Sequence, residues 1–238
     1  MRPVLLLIPG MLNTARIWSR VTPLLQDQAD IRIANVTTQT RIADMARDTW
    51  ALVADVPAAQ KLVLGGFSMG GYVVLELIGT YLISNYPSRT WATALINTSA
   101  RAETADGMLA RDKTIQAAER DFERVMQGIA QFGFHKDHHP DAALMAETLS
   151  IMREAGLQAA VRQLHAIKAR ADQRALLPRI QARALVVSSR GDAVVPPAMS
   201  EEMAALLPNA TLEWLEPAGH MTPLEQPAAL ANLLRTLL

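Results

Sequence analysis

Six short apolar runs punctuate the chain: Val4 to Ile8, Ile31 to Val36, Leu62 to Phe67, Trp91 to Asn97, Ala184 to Ser189 and Thr211 to Leu215. Their compactness is that of strands buried on both faces, since a strand with one wet face alternates apolar and polar residues. Helical patterns separate most of them, notably Ala15 to Gln26, Ile42 to Asp55 and Tyr72 to Leu82. That alternation predicts an α/β fold, a doubly wound and mostly parallel sheet of about six strands with helices on both faces. Between Ala100 and Leu176 the strand pattern stops. Ile115, Ala118, Phe122, Val125, Met126 and Ile129 fall at helical spacing, as do Leu157, Ala160, Val161, Leu164 and Ile167. Residues 101–176 are therefore expected to form a helical cap inserted into a core made of residues 1–100 and 177–238.

Candidate chemistry gathers at the strand ends. Gly66-Phe67-Ser68-Met69-Gly70 follows Leu62-Val63-Leu64 and leads into Tyr72-Val73-Val74-Leu75. A G-x-S-x-G string between a buried strand and a helix marks a sharp turn that exposes the serine hydroxyl, with glycines where side chains would collide. Ser68 is accordingly the candidate nucleophile, and a serine needs a base and a group to orient that base. Ala184 to Ser189 ends in Arg190-Gly191-Asp192, and Thr211 to Leu215 ends in Pro217-Ala218-Gly219-His220. Asp192 and His220 thus follow successive strands, giving the chain order Ser68, Asp192, His220. Glu103, soon after the Trp91 run, is the rival for the acid.

Through Gly66-Phe67-Ser68-Met69-Gly70-Gly71, Gly191-Asp192-Ala193-Val194-Val195-Pro196 and Gly219-His220-Met221, the chain resembles the α/β-hydrolase superfamily over almost its whole length. The resemblance implies a serine hydrolase with the Val4 strand beside the Leu62 strand and a lid after the fourth strand. It also implies an oxyanion hole, for which the backbone N–H groups of Met11 and Met69 are the candidates. Many members carry His-Gly where this chain has Pro9-Gly10.

With 238 residues, half of them hydrophobic, the chain can bury one substantial core. Lys plus Arg and Asp plus Glu number 23 each, so no global field favours nucleic acid or an anionic membrane, and a small neutral partner is expected. No cysteine is present, which excludes disulfides, thiolate metal sites and cysteine catalysis. No apolar stretch is long enough to span a membrane, and Met1-Arg2-Pro3 runs directly into a strand rather than a signal peptide, making a cytoplasmic location the default. Oligomeric state is not legible.

The remaining candidates carry less information. His135, His138 and His139, beside Asp137 and Asp141, read as solvated residues of a polar connection before a helix started by Pro140 rather than as a metal site. His165 reads as a packing histidine on the apolar side of its helix. Trp18, Phe67, Arg190 and Met221 are candidates for the substrate pocket, Arg190 as a hold for a substrate carboxylate and Met221 as an adaptable apolar wall. The expected reaction is cofactor-free, metal-free hydrolysis of a small or medium carboxylic ester or a lactone by an acyl-enzyme route. Carbon-carbon bond hydrolysis, perhydrolysis or cofactor-free halogenation would use the same residues, and a small-molecule receptor on a hydrolase fold is the alternative from another class.

Overall fold

The computed structural model describes residues 1–83, 89, 91–139 and 141–238. Six strands, β1 (Val4–Ile8), β2 (Asp30–Ile33), β3 (Leu62–Phe67), β4 (Trp91–Ile96), β5 (Arg183–Ser188) and β6 (Ala210–Trp214), form one parallel sheet in the order β2-β1-β3-β4-β5-β6. β1 and β3 pair from Val4 opposite Leu62 to Ile8 opposite Gly66, so the order reverses between them and a crevice opens at their carboxyl ends.

Why the runs are continuously apolar is clear from β1. Val4, Leu6 and Ile8 point into one core and Leu5 and Leu7 into the other, and none of the five is exposed. The first core is covered by helices α1 (Ile42–Ala51) and α2 (Met69–Leu77), the latter running into a wider turn at Ile78–Leu82. Ile17 and Trp18 close the second.

Four helices stand between β4 and β5: α3 (Ala105–Arg120), α4 (Phe122–Gly133), α5 (Ala142–Ala155) and α6 (Leu157–Lys168). The break between α3 and α4 is local chemistry, because Asp121 leaves helical geometry at φ −152° and its carboxylate accepts the Arg124 N–H at 3.0 Å. Asp141 caps α5 in the same way, accepting the Leu144 N–H at 2.9 Å; Pro140, expected to start that helix, lies outside the described residues. Leu12 packs with Met126, Ala130, Met152 and Ala160, joining the loop after β1 to this helical segment. Helices α7 (Pro197–Leu206), α8 (Thr222–Glu225) and α9 (Pro227–Arg235) complete the α-helices among the described residues; α7 packs on the α1 side of the sheet and α9 on the other.

One predicted helix is not formed. Ala15 to Gln26 folds as two short 3-10 turns, Ala15–Trp18 and Thr22–Leu24, because Pro23 has no N–H to donate back along a helix and crowds the preceding turn. The second strand is also shorter than its apolar run, ending at Ile33. No helix among the described residues is long and apolar enough to cross a membrane.

Candidate active site

β3 delivers Ser68 into a turn so tight that its φ is +53°, a conformation that costs a non-glycine residue about 1–3 kcal/mol. The neighbouring structure holds it there. Ser68 N–H donates to Ile96 O at 2.9 Å, while its carbonyl accepts Gly71 N–H at 2.9 Å and the Thr98 hydroxyl at 2.7 Å. A Cβ at Gly66 would overlap the Gly70 backbone, and one at Gly70 would overlap the Ile8 carbonyl, so the strand-to-helix approach admits only glycine at both positions.

Three side chains from distant parts of the sequence meet at this turn. His220 Nε2 lies 2.9 Å from Ser68 Oγ, and His220 Nδ1 lies 2.9 Å from Asp192 Oδ2. The Asp192 carboxylate is buried and receives further bonds: Val194 N–H at 2.9 Å and Val195 N–H at 2.8 Å on Oδ1, and Asn97 Nδ2 at 2.9 Å on Oδ2. Burial pushes this carboxyl up, but the charge of His220, its hydrogen bond, and the Val195 and Asn97 donors outweigh burial and hold it below the usual carboxylate range. Glu103 does not reach the histidine. It pairs with Arg111 and Arg170, whose hydrogen bonds outweigh burial and lower its pKa.

The loop after β1 faces this group. Leu12 sits at φ +57° with its N–H donated to Gln163 Oε1 at 2.9 Å, and Asn13 Nδ2 binds Met11 O at 2.8 Å. Leu12 N–H is thereby engaged, whereas the Met69 N–H opens α2, where no preceding helical turn supplies an acceptor. Met11, Met69, Phe67 and Met221 line a cavity of about 90 Å³ together with Ser68 and His220. Arg111, Ile129, Gly133, Met152 and Ile167, from all four helices between β4 and β5, also line it.

Two pocket candidates lie elsewhere. Trp18 is fully buried, its ring edge-on to Phe67 at 6.4 Å, and it contributes to the core behind the site rather than to the cavity. Arg190 stacks its guanidinium on Trp214 at 4.5 Å, which turns it away from the cavity. Two histidine readings also change. His165 is exposed, because it lies about 200° round α6 from Gln163, on the side away from the buried Ala160, Gln163, Leu164 and Ile167. His138 is not merely solvated: its Nδ1 lies 2.7 Å from Glu225 Oε2. Among the described residues no group of three or more His, Asp or Glu side chains could hold a metal ion.

Sequence reasoning passed over three polar residues that brace the site. Asn97, at φ +46° just after β4, donates to Asp192 and accepts the Thr222 hydroxyl at 2.6 Å. Gln163 links Leu12 N–H to Val36 O, its Nε2 donating to the latter at 2.9 Å. The fully buried Glu225 side chain accepts Gly219 N–H at 2.9 Å and Met221 N–H at 3.1 Å on Oε1, and His135 N–H at 2.9 Å on Oε2. His220 itself donates its backbone N–H to Gly133 O at 2.7 Å. The one available signal was the polar residue embedded in an apolar pattern, as with Gln163 between Val161 and Leu164.

A model of the alpha/beta hydrolase family matches residues 5–233. Pimeloyl-[acyl-carrier protein] methyl ester esterase of Neisseria meningitidis serogroup C is 29% identical over 199 residues, spanning 81% of this chain and 73% of the relative. Among solved structures, a thermophilic esterase from Thermogutta terrifontis superposes with a TM-score of 0.85 at 22% identity, covering 99% of this chain and 89% of the other. An enol-lactonase from Burkholderia xenovorans LB400 does so with a TM-score of 0.84 at 19% identity, covering 100% and 91%.

Proposed function

The chain belongs to the alpha/beta hydrolase family, and from that premise we propose that it cleaves a small carboxylic ester or lactone through a covalent acyl-serine. The observation that carries the reading is the continuous hydrogen-bonded chain from Ser68 Oγ through both ring nitrogens of His220 to Asp192 Oδ2. His220 Nε2 takes the hydroxyl proton as Ser68 Oγ attacks the carbonyl carbon, and the buried Asp192 carboxylate fixes the ring and stabilises the imidazolium. Negative charge that develops on the carbonyl oxygen is met by the N–H groups of Met11 and Met69; one such donor is worth about 3–4 kcal/mol in comparable sites. The imidazolium then protonates the leaving alkoxide and the carbon–oxygen bond breaks. Water repeats the sequence on the acyl-serine, releasing the acid and restoring the hydroxyl.

Residues 101–176 serve in this reading as a cap that narrows the cavity and limits the substrate to a small or medium acyl or alcohol part. Support comes from the insertion's contribution to the cavity wall and from the mainly apolar lining around Ser68. The methyl ester esterase among the relatives favours an ester over a carbon-carbon bond as the scissile group.

Hydrolysis of a chain-length panel of p-nitrophenyl esters and simple lactones by wild type and Ser68→Ala tests the proposal. Turnover should be lost by at least about a thousandfold in the variant. Equal turnover by the two proteins would remove Ser68 from the mechanism.

A further inference from the structure

Among the described residues that line the cavity, one side chain carries a permanent charge, Arg111, on α3. Arg111 is partly exposed, and its Nε donates to Glu103, while among the described residues its two terminal nitrogens have no hydrogen-bond acceptor. Glu103 does not need it for neutralisation. Arg170 also pairs with that carboxylate, at 3.0 Å, and is itself buried, stacked over Tyr72 at 4.6 Å and donating to Arg101 O and Ile167 O. Two guanidinium groups thus share one carboxylate, leaving one positive charge in excess at the wall of an otherwise mainly apolar cavity. Such a charge has Nε fixed by Glu103 and a terminal fork free, which is the geometry that receives a planar carboxylate.

We propose that Arg111 is a specificity-determining residue, and that the substrate carries an anionic carboxylate at the end remote from its scissile ester. The class is a half-ester of a short dicarboxylic acid, or a lactone bearing a free carboxylate. This rests on the hydrolytic reading of Ser68. Arg111 takes no part in proton transfer; it orients the charged end while the ester carbonyl lies at Ser68 Oγ.

The test compares the monomethyl esters of succinic, glutaric and adipic acids with the matching dimethyl esters, in wild type, Arg111→Gln and Arg111→Lys. Folding is checked by thermal melts. In parallel, binding of the free diacids is measured by calorimetry with wild type and both variants. Wild type should favour the half-ester, and Arg111→Gln should lower kcat/KM for it by about ten- to a hundredfold, mostly through KM, with a clearly smaller loss for the diester. Arg111→Lys should keep part of the preference, and added salt should raise KM for the half-ester alone. If the diester is cleaved with Ser68 dependence while the half-ester is no better and salt has no selective effect, the anion subsite is overturned and ester hydrolysis stands. If neither ester turns over but a diacid binds wild type at least tenfold more tightly than Arg111→Gln, the subsite is supported and hydrolysis of these esters is not. Absence of both turnover and Arg111-dependent binding overturns both. Should Arg111→Gln fail to fold, Arg111→Lys and the salt response decide between the same outcomes.

Discussion

Glu225→Gln perturbs the site without touching any reacting atom. The native carboxylate accepts four hydrogen bonds, two per oxygen: the N–H groups on either side of His220 on Oε1, and His135 N–H with His138 Nδ1 on Oε2. An amide offers one oxygen, so its NH2 group faces either the Gly219 and Met221 N–H groups, where two bonds are lost, or the His135 N–H and a His138 ring nitrogen that accepts after a tautomer change, where one is. Hydrogen bonds to a charged group contribute about 1.5–3 kcal/mol each, so two lost bonds come to about 3 kcal/mol even at the lower figure. For a domain of this size that corresponds to a fall in Tm of roughly 6–12 °C. Where the NH2 group faces the Gly219 and Met221 N–H groups, both ends of the His220 loop are released and kcat should also fall, by about tenfold or more for a displacement approaching 1 Å, with KM little changed. Thermal melts and ester kinetics well below the melting range give the two readouts separately. A Glu225→Gln protein melting within about 2 °C of wild type, with unchanged kcat, would refute the argument that this carboxylate holds the histidine loop in place.

Two further outcomes follow from the same geometry. Asn97→Ala and Asn97→Gly should both lower kcat by about tenfold, since each removes the donor to Asp192, but the alanine protein should melt about 2–4 °C below the glycine protein because φ +46° strains a Cβ; identical melting would refute the strain. Asp192 has a folded pKa below its unfolded value, so its ionisation stabilises the fold above an unfolded pKa of about 3.9 and that contribution is lost as pH falls through the lower folded value. The gap in Tm between wild type and Asp192→Asn should therefore narrow as pH is lowered from 7 toward 3, and a gap that stays constant or widens would contradict the assignment.

The sheet was legible because strands buried on both faces are written as continuous apolar runs, as Val4 to Ile8 shows by dividing its side chains between two cores. The meeting of Ser68, Asp192 and His220 was legible because each follows such a run, and strand ends on one edge of a parallel sheet converge. Pro23 interrupts a pattern that otherwise has helical spacing, and one proline outweighs that periodicity. Arg190 and Arg111 could not be ranked from sequence: which arginine reaches the cavity depends on Trp214 holding one and α3 carrying the other. Asn97, Gln163 and Glu225 share a deeper reason. Each binds partners at least 87 residues away, whose proximity exists only after folding, apart from the short-range bonds of Glu225 to the His220 loop.

Gln163 also bears on how this protein could be re-engineered. From α6 it serves one backbone group after β1 and another after β2, Leu12 N–H and Val36 O. A chimera that exchanged the segment between β4 and β5 for a relative's would therefore strand a buried donor and a buried acceptor unless the donor segment brought a side chain able to reach both. The segment between β4 and β5 is not an interchangeable module. New substrate ranges are better sought by point changes at its inward-facing positions, such as Ile129 and Met152, with Gln163 retained as a fixed attachment point.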